Sequence, residues 1–199
     1  MILQKFIVSY KYLNYVSFNA QVLWSVNYLK KIAKKNKIQF NLNKLNKDLK
    51  SDYIYLFDDI EKLKSTFNVT ANLPLNTEAF AILPHGNNII IYANDYRGFV
   101  YAITEIVDII KYSENNNLII KTQIIEEPTT KIRSISKCFE SIDEDKEWFY
   151  NKNSWDEYLT LLISERFNRF TLTLGMQYNY PYGNEFIKDV YLYLPYPFI

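Results

Sequence analysis

The stretch FVYAITEIVDII, Phe99 to Ile110, constrains this chain more than any other. Phe99, Ala102, Ile103, Ile106, Val107 and Ile110 recur at helical spacing, giving one helix a wide apolar stripe. Such a stripe must lie flat against a sheet. The preceding segment, EAFAILPHGNNIIIYAND, predicts part of that sheet as a hairpin. Phe80 and Ile82 alternate with small or polar neighbours, His85-Gly86-Asn87-Asn88 carries turn chemistry, and Ile89 to Tyr92 is the return strand. His85 then sits at a loop tip, where a lone histidine is a solvated residue before it is a catalytic one. Between hairpin and helix lies a short polar turn carrying Arg97 and Gly98. It could be a phosphate cradle, a catalytic loop or a packing corner. A cradle needs several glycines to expose successive amides, and this turn has one. Gly98 is best explained by close helix–strand approach or by a positive φ. Arg97 is expected to tie down the turn by hydrogen bonding. Both are read as structural residues.

Other elements build around this corner. QKFIVSY, Gln4 to Tyr10, predicts a first strand, and FNAQVLWSVNYLKKIAKKN a helix. Asn19 suits its N-cap, because a side-chain oxygen there can accept from a free first-turn amide. Val22, Val26, Leu29 and Ala33 share one face. Lys30, Lys31, Lys34 and Lys35 crowd the last turns, where cations complement the helix dipole. A solvated helix end is favoured over an anion patch. DYIYLFDD, Asp52 to Asp59, predicts a short buried strand whose acidic pair caps the helix IEKLKSTF. The apolar helix dissolves at YSENNN, and LIIKTQII, Leu118 to Ile125, predicts another strand.

At EEPTT, Glu126 to Thr130, the grammar changes. Pro128 biases Glu127 towards an extended conformation and interrupts pairing. KIRSISKCF then predicts a strand over Ile132 to Phe139, SIDEDKEWFYNKN a polar and aromatic loop, and SWDEYLTLLISERFNRF a helix. Ser154 and Glu157 suit a capping box, with Leu159, Leu162, Ile163 and Phe167 as the buried face. FTLTLG, Phe170 to Gly175, is the next strand. Strand, helix and strand make a βαβ unit, which belongs to a parallel sheet.

Composition excludes several chemistries. The one cysteine, Cys138, rules out an internal disulfide framework, and the one histidine, His85, argues against a multi-ligand zinc site or a Ser-His-Asp triad. A net charge of +1 gives no global field for nucleic acid or an anionic membrane. No run of about 18 apolar residues suggests a membrane span. The start, MILQKFIVSYKYLNYVSF, shows no signal peptide, so the default localisation is cytoplasmic. Asp143-Glu144-Asp145 is placed in a loop, where solvation is favoured over contact with a sugar or metal, and Asn68-Val69-Thr70 fits a glycosylation acceptor that carries little weight without a secretory signal.

Taken in order, these pieces resemble the N-terminal half of β-N-acetylhexosaminidases and α-glucuronidases, in which an α/β domain precedes a TIM-barrel catalytic domain. The matching stretches are EAFAILPHGNNIIIYANDYRGFVYAI, EEPTTKIRSIS and WDEYLTLLISERFNRFTLTL, within residues 50 to 175. The glycine that often follows the first-strand arginine in hexosaminidases is Ser134 here, so the chain looks closer to the α-glucuronidase-like relatives.

The resemblance implies an α/β (α+β) fold. Residues 1–127 would form a mixed-sheet accessory domain with helices packed on it, and residues 128–199 the first βαβ unit of an incomplete TIM barrel. A complete barrel takes about 250 residues. In hexosaminidases the acidic pair lies after the fourth barrel strand, so no catalytic residue and no metal ligand is assigned. The chain is therefore expected to be an N-terminal fragment of a carbohydrate-active glycoside hydrolase, non-catalytic by itself, and its aromatic ending DVYLYLPYPFI reads as an interruption. Arg133 matches the first-strand arginine that binds sugar hydroxyls, where a guanidinium donates paired hydrogen bonds; a structural ion pair is the alternative. Tyr178 and Tyr180 follow the second strand, where aromatic faces line sugar sites or pack on the barrel. No cofactor is expected. The partner is carbohydrate, in the full-length protein, with neither nucleic acid nor membrane. The rival reading is a stand-alone glycan- or protein-binding module without enzymatic activity. A nucleotide-binding βα protein comes third, disfavoured by the missing phosphate loop.

Overall fold

The computed structural model describes residues 4–13, 19–43, 52–113, 117–139 and 142–174. The chain divides into two compact units, Met1–Thr129 and Thr130–Ile199.

Unit 1 contains β1 (Gln4–Tyr12), α1 (Ala20–Lys35), β2 (Ile38–Asn43), β3 (Asp52–Phe57), α2 (Ile60–Phe67), β4 (Phe80–His85), β5 (Asn88–Ala93), α3 (Tyr96–Tyr112) and β6 (Ile124–Glu126). Its six strands form one mixed sheet in the order β2-β1-β3-β5-β4-β6. The first four of these run parallel, and β4 lies antiparallel between β5 and β6. Register sorts the strand residues into two buried faces. Ile7 aligns with Tyr53, Tyr55 with Ile90, and Ile90 with Leu83. With Phe57 and Tyr92, these pack around Leu63 of α2 and Leu73. The opposite parity carries Val8, Ile54, Leu56, Ile82, Ile89 and Ile91, all buried. On the helical side, α1 packs on β2, α3 packs on β4 and β5, and the two helices pack together. A sheet covered on both faces explains why its strands read as continuous apolar runs such as IIIY rather than as alternation.

The starts of α1 and α2 follow the sequence closely. Asn19 Oδ1 accepts from the amides of Gln21 and Val22, both at 3.1 Å, and Val22, Val26, Leu29 and Ala33 are buried. Asp59 caps α2 through the amides of Glu61 and Lys62. The hairpin closes on a two-residue loop in which Gly86 takes a φ of 60°, a conformation that glycine adopts without steric cost. His85 ends β4, exposed, with its ring 4.9 Å from that of Phe67. Along α3, Phe99, Ile103, Ile106 and Ile110 are buried. At about 1.5–3 kcal/mol per fully buried side chain, packing outweighs propensity in holding this helix.

Three expectations for unit 1 change. β2 was not anticipated: IQFNLN is short and interleaved with asparagine. α3 begins at Tyr96, so Arg97 and Gly98 lie in its first turn and Asp95 is the cap. LIIKTQII forms ladder structure only over Ile124–Glu126. At Leu118 the backbone is engaged instead by a side chain: its amide donates to Gln4 Oε1 at 2.8 Å, and its carbonyl accepts from Gln4 Nε2 at 3.4 Å.

Unit 2 contains β7 (Ser134–Phe139), α4 (Ile142–Phe149), α5 (Lys152–Ser164) and β8 (Arg169–Leu174). β7 and β8 pair in parallel, with both helices in the connection. The segment expected as a loop is therefore largely α4, so Asp143-Glu144-Asp145 lies on a helix. Asn151 caps α5 through the amides of Asn153 and Ser154, displacing the expected capping box by one turn. Of the four apolar positions expected to be buried, Leu162 is buried, Ile163 and Phe167 are half-buried, and Leu159 is 39% exposed. A two-stranded sheet is too narrow to cover a whole helical face.

Candidate functional site

Two arginine-centred corners hold Arg97, Gly98 and Arg133, which the sequence singles out. The first opens α3. Asp95 uses both carboxylate oxygens: Oδ1 accepts from the Gly98 amide and Oδ2 from the Glu78 amide, each at 2.8 Å. Glu78 has a φ of 65°, a left-handed conformation that costs about 1–2 kcal/mol for a residue with a Cβ. Its bonded amide and its ion pair with Arg97 hold it there. The Glu78 side chain is 8% exposed and that of Arg97 46%, so a buried carboxylate is capped by a half-solvated cation. The hydrogen bond to Glu78, ahead of smaller contributions from Tyr96, raises the guanidinium pKa further above its ordinary value, against a lowering by burial.

Gly98 answers to packing. A Cβ there would lie 2.5 Å from the Ala79 carbonyl oxygen and 2.8 Å from Ala93 Cβ, so a side chain would drive the helix off the entry to β4 and the end of β5. Gly86 is the glycine with positive φ among the described residues, which leaves close approach as the reason for Gly98. The polar groups of this corner bind one another, so its geometry is that of a packing joint. Asp95 had a sequence signal, standing three residues before Gly98 as an N-cap does. Glu78 had none, because its partners come from across the hairpin.

The second corner precedes β7. Arg133 Nε donates to the Arg166 carbonyl at 2.6 Å, and Nη1 to the Thr130 carbonyl at 2.8 Å. The Arg133 amide donates to Asn168 Oδ1, and Asn168 Nδ2 donates to the Lys131 carbonyl. Arg166 has a φ of 63°, and the clamp fixes that turn between α5 and β8. These Arg133 side-chain bonds thus go to backbone carbonyls on both sides of the strand start. Arg133 stands just before the N-terminal end of β7. Tyr178 and Tyr180 lie outside the described residues.

Between the unit 2 helices and β7–β8 lies an aromatic layer. Trp148, Trp155, Tyr158 and Phe170 meet ring to ring at 5.3–5.8 Å. Trp148 Nε1 donates to Asp145 Oδ1, and Trp155 Nε1 to the Phe149 carbonyl, both at 2.7 Å. Lys137 of β7 points into the layer, its ammonium 4.2 Å from the Trp148 ring centre and 5.2 Å from that of Tyr158. On the other face, Ser134, Ser136, Arg169, Thr171 and Thr173 are exposed. Among the described residues, no group of three or more His, Cys, Asp or Glu side chains could hold a metal ion, and no helix is long and apolar enough to cross a membrane.

No family model matches the sequence, and no curated protein matches it. Solved structures do match its fold, over the N-terminal parts of glycoside hydrolases. A GH138 enzyme targeting pectin rhamnogalacturonan II aligns with a TM-score of 0.63 at 19% identity, covering 87% of this chain and 24% of its own. A GH115 4-O-methyl-α-glucuronidase with specificity for decorated arabinogalactans aligns with a TM-score of 0.63 at 14% identity, covering 85% and 25%. The GH20 exo-β-N-acetylglucosaminidase of Vibrio harveyi, solved with N-acetylglucosamine, aligns with a TM-score of 0.52 at 16% identity, covering 85% and 22%. The chain spans about a quarter of the length of each.

Proposed function

We propose that this chain is the accessory α/β domain and the first strand–helix–strand segment of a glycoside hydrolase barrel, belonging to a longer polypeptide and not hydrolysing glycosides by itself. The domain boundary is placed at Pro128. The observation that supports the reading is the extent of the structural match: 87% of the chain is more than unit 1 supplies, so the match extends into unit 2. Neighbours acting on quite different sugars share this arrangement, so it supports the class of enzyme rather than the substrate.

Glycoside hydrolysis needs two carboxyl groups held across the scissile bond, and a barrel presents them from the C-terminal ends of its strands. The two strands described in unit 2 cannot close a barrel, so the acids are expected on strands of the longer polypeptide. Tyr178 and Tyr180, following β8, are the proposed sugar contacts. Arg133 is better suited to holding the α5–β8 turn. The test is hydrolysis of aryl glycosides of N-acetylglucosamine and glucuronic acid. The 199-residue chain should release no aryl alcohol, and a polypeptide that continues through the remaining strands should. Turnover by the short chain, abolished by changing an acid within it, would overturn the proposal.

A further inference from the structure

We propose that the outer face of α1 binds an acidic polysaccharide, its lysines taking uronate carboxylates and its aromatic rings the C–H faces of the sugars. This rests on the glycoside hydrolase reading. Trp24, Tyr28, Lys31 and Lys35 are spaced by four, three and four residues, which puts them on one stripe of the helix. The stripe lies opposite the buried Val22, Val26, Leu29 and Ala33. It runs for about 16 Å at about 1.5 Å per residue, long enough to meet several sugar rings in a chain. Trp24 is 36% exposed, Lys31 and Lys35 are exposed, and the Trp24 and Tyr28 rings stack with centroids 5.6 Å apart and planes 11° from parallel. From the neighbouring helix α3, the Lys111 ammonium lies 5.6 Å from the Tyr28 ring centre. Asp108, 3.1 Å from that ammonium, can accept a sugar hydroxyl.

Charge is segregated in the elements at this end of the sheet. Every charged side chain before Asp48 is a lysine, so β1, α1 and β2 contain no acid, and the chain's net charge of +1 conceals a basic end to the sheet. Lys34 and Lys35 answer to the helix dipole. That dipole gives no reason for an exposed tryptophan at the other end of the same helix, nor for the absence of acids from its first turn, where they would be stabilising. Aromatic faces beside cations also suit single-stranded nucleic acid. Against that, β1, α1 and β2 contain no arginine, so these elements offer no forked guanidinium, the usual partner of phosphate. Ammonium groups are point charges that serve a carboxylate equally well.

Affinity electrophoresis of the 199-residue chain tests this with three probes: polygalacturonate, the fully methyl-esterified polymer and single-stranded oligothymidylate. Polygalacturonate should retard the chain, added salt should release it, and the uncharged ester should have little effect. Lys31→Gln with Lys35→Gln should weaken binding about tenfold, the size of two modest surface charge contacts. Trp24→Ala should weaken it by about the same factor, as loss of ring stacking does elsewhere. Denaturation midpoints equal to that of the parent chain would show that the variants remain folded. Should a lysine variant unfold, Trp24→Ala still decides the matter. No retardation, full binding by the folded variants, or tighter binding of oligothymidylate would overturn the inference. Glycoside cleavage by a longer polypeptide that fails these binding tests would remove this inference and leave the hydrolase reading standing.

Discussion

The two sheets of this protein are built from the same strand–helix grammar and reach opposite ends. The six-stranded sheet is covered on both faces, and its inward positions are almost wholly buried. The two-stranded sheet is covered on one face by an aromatic layer, while Ser134, Ser136, Arg169, Thr171 and Thr173 stand exposed on the other. Helices α1 and α5 are both amphipathic by spacing, yet the apolar stripe of α1 is buried and that of α5 is mostly not. Amphipathicity belongs to a helix; burial depends on how wide a surface the sheet offers it. A substitution should therefore cost stability according to the unit that carries it.

The largest effect is expected at Gly98. In Gly98→Val the first atom added meets a backbone carbonyl rather than a yielding side chain, and the loss should be about 3 kcal/mol, at the upper end of overpacking costs. An unchanged urea midpoint would show that the α3 corner yields as readily as unit 2. Next comes Arg97→Met, which removes the ion pair of the buried Glu78 carboxylate. Losing one partner of a fully buried pair costs about 3–5 kcal/mol. With Arg97 half-solvated, about 1–2 kcal/mol is expected after screening, and a double-mutant cycle with Glu78→Gln should recover much of it.

Alkaline titration should sharpen the contrast further. Burial, with smaller contributions from Tyr12 and Tyr53, raises the pKa of Tyr55 above its ordinary 10.0. Burial, then Asp59 and Asp58, does the same for Tyr92. Above pH 10 the unfolded chain loses these phenolic protons first. Unit 1 is therefore at full strength below that pH and loses stability as the pH rises through the folded values. Tyrosine absorbance should show a late, cooperative class of phenols that disappears in Tyr55→Phe/Tyr92→Phe; simple one-group titration throughout would contradict the buried tyrosine face. The smallest effect belongs to Leu159→Ser in α5. A residue this exposed should change the midpoint by no more than about 0.5 kcal/mol, and a loss like that at Gly98 would mean that unit 2 has a core of its own.

What could be read ahead of the structure divides along the same line. Local signals were legible: Asn19 and Asp59 as caps, the hairpin with Gly86, and the stripe of α3. Each is decided within a few residues of itself. Elements whose evidence lies elsewhere were not. β2 is held by pairing with β1, and its own sequence looks like polar linker. α4 reads as a loop because its charges mask a face that matters only once Trp148 has Trp155 and Lys137 to meet. At the sites, a lone glycine before an apolar helix is a local signal, whereas Glu78 and the backbone clamp of Arg133 join residues distant in sequence, and no spacing announces them.

The strand order carries a consequence for the newborn chain. Among the strands of this sheet β1 leaves the ribosome first, yet it ends inside the sheet, between β2 and β3, with an unmet edge until residue 57 has been made. The hairpin of β4 and β5, by contrast, closes over a two-residue loop and is followed at once by the helix that packs on it. Pairings between near neighbours in sequence form sooner than distant parallel ones. Folding of unit 1 should thus start from its younger half and recruit the older half afterwards. Pulse-labelled exchange should find the amides of Ile82 and Ile91 protected before that of Phe6, and the reverse order would mean that the β1–β2 pair nucleates the sheet.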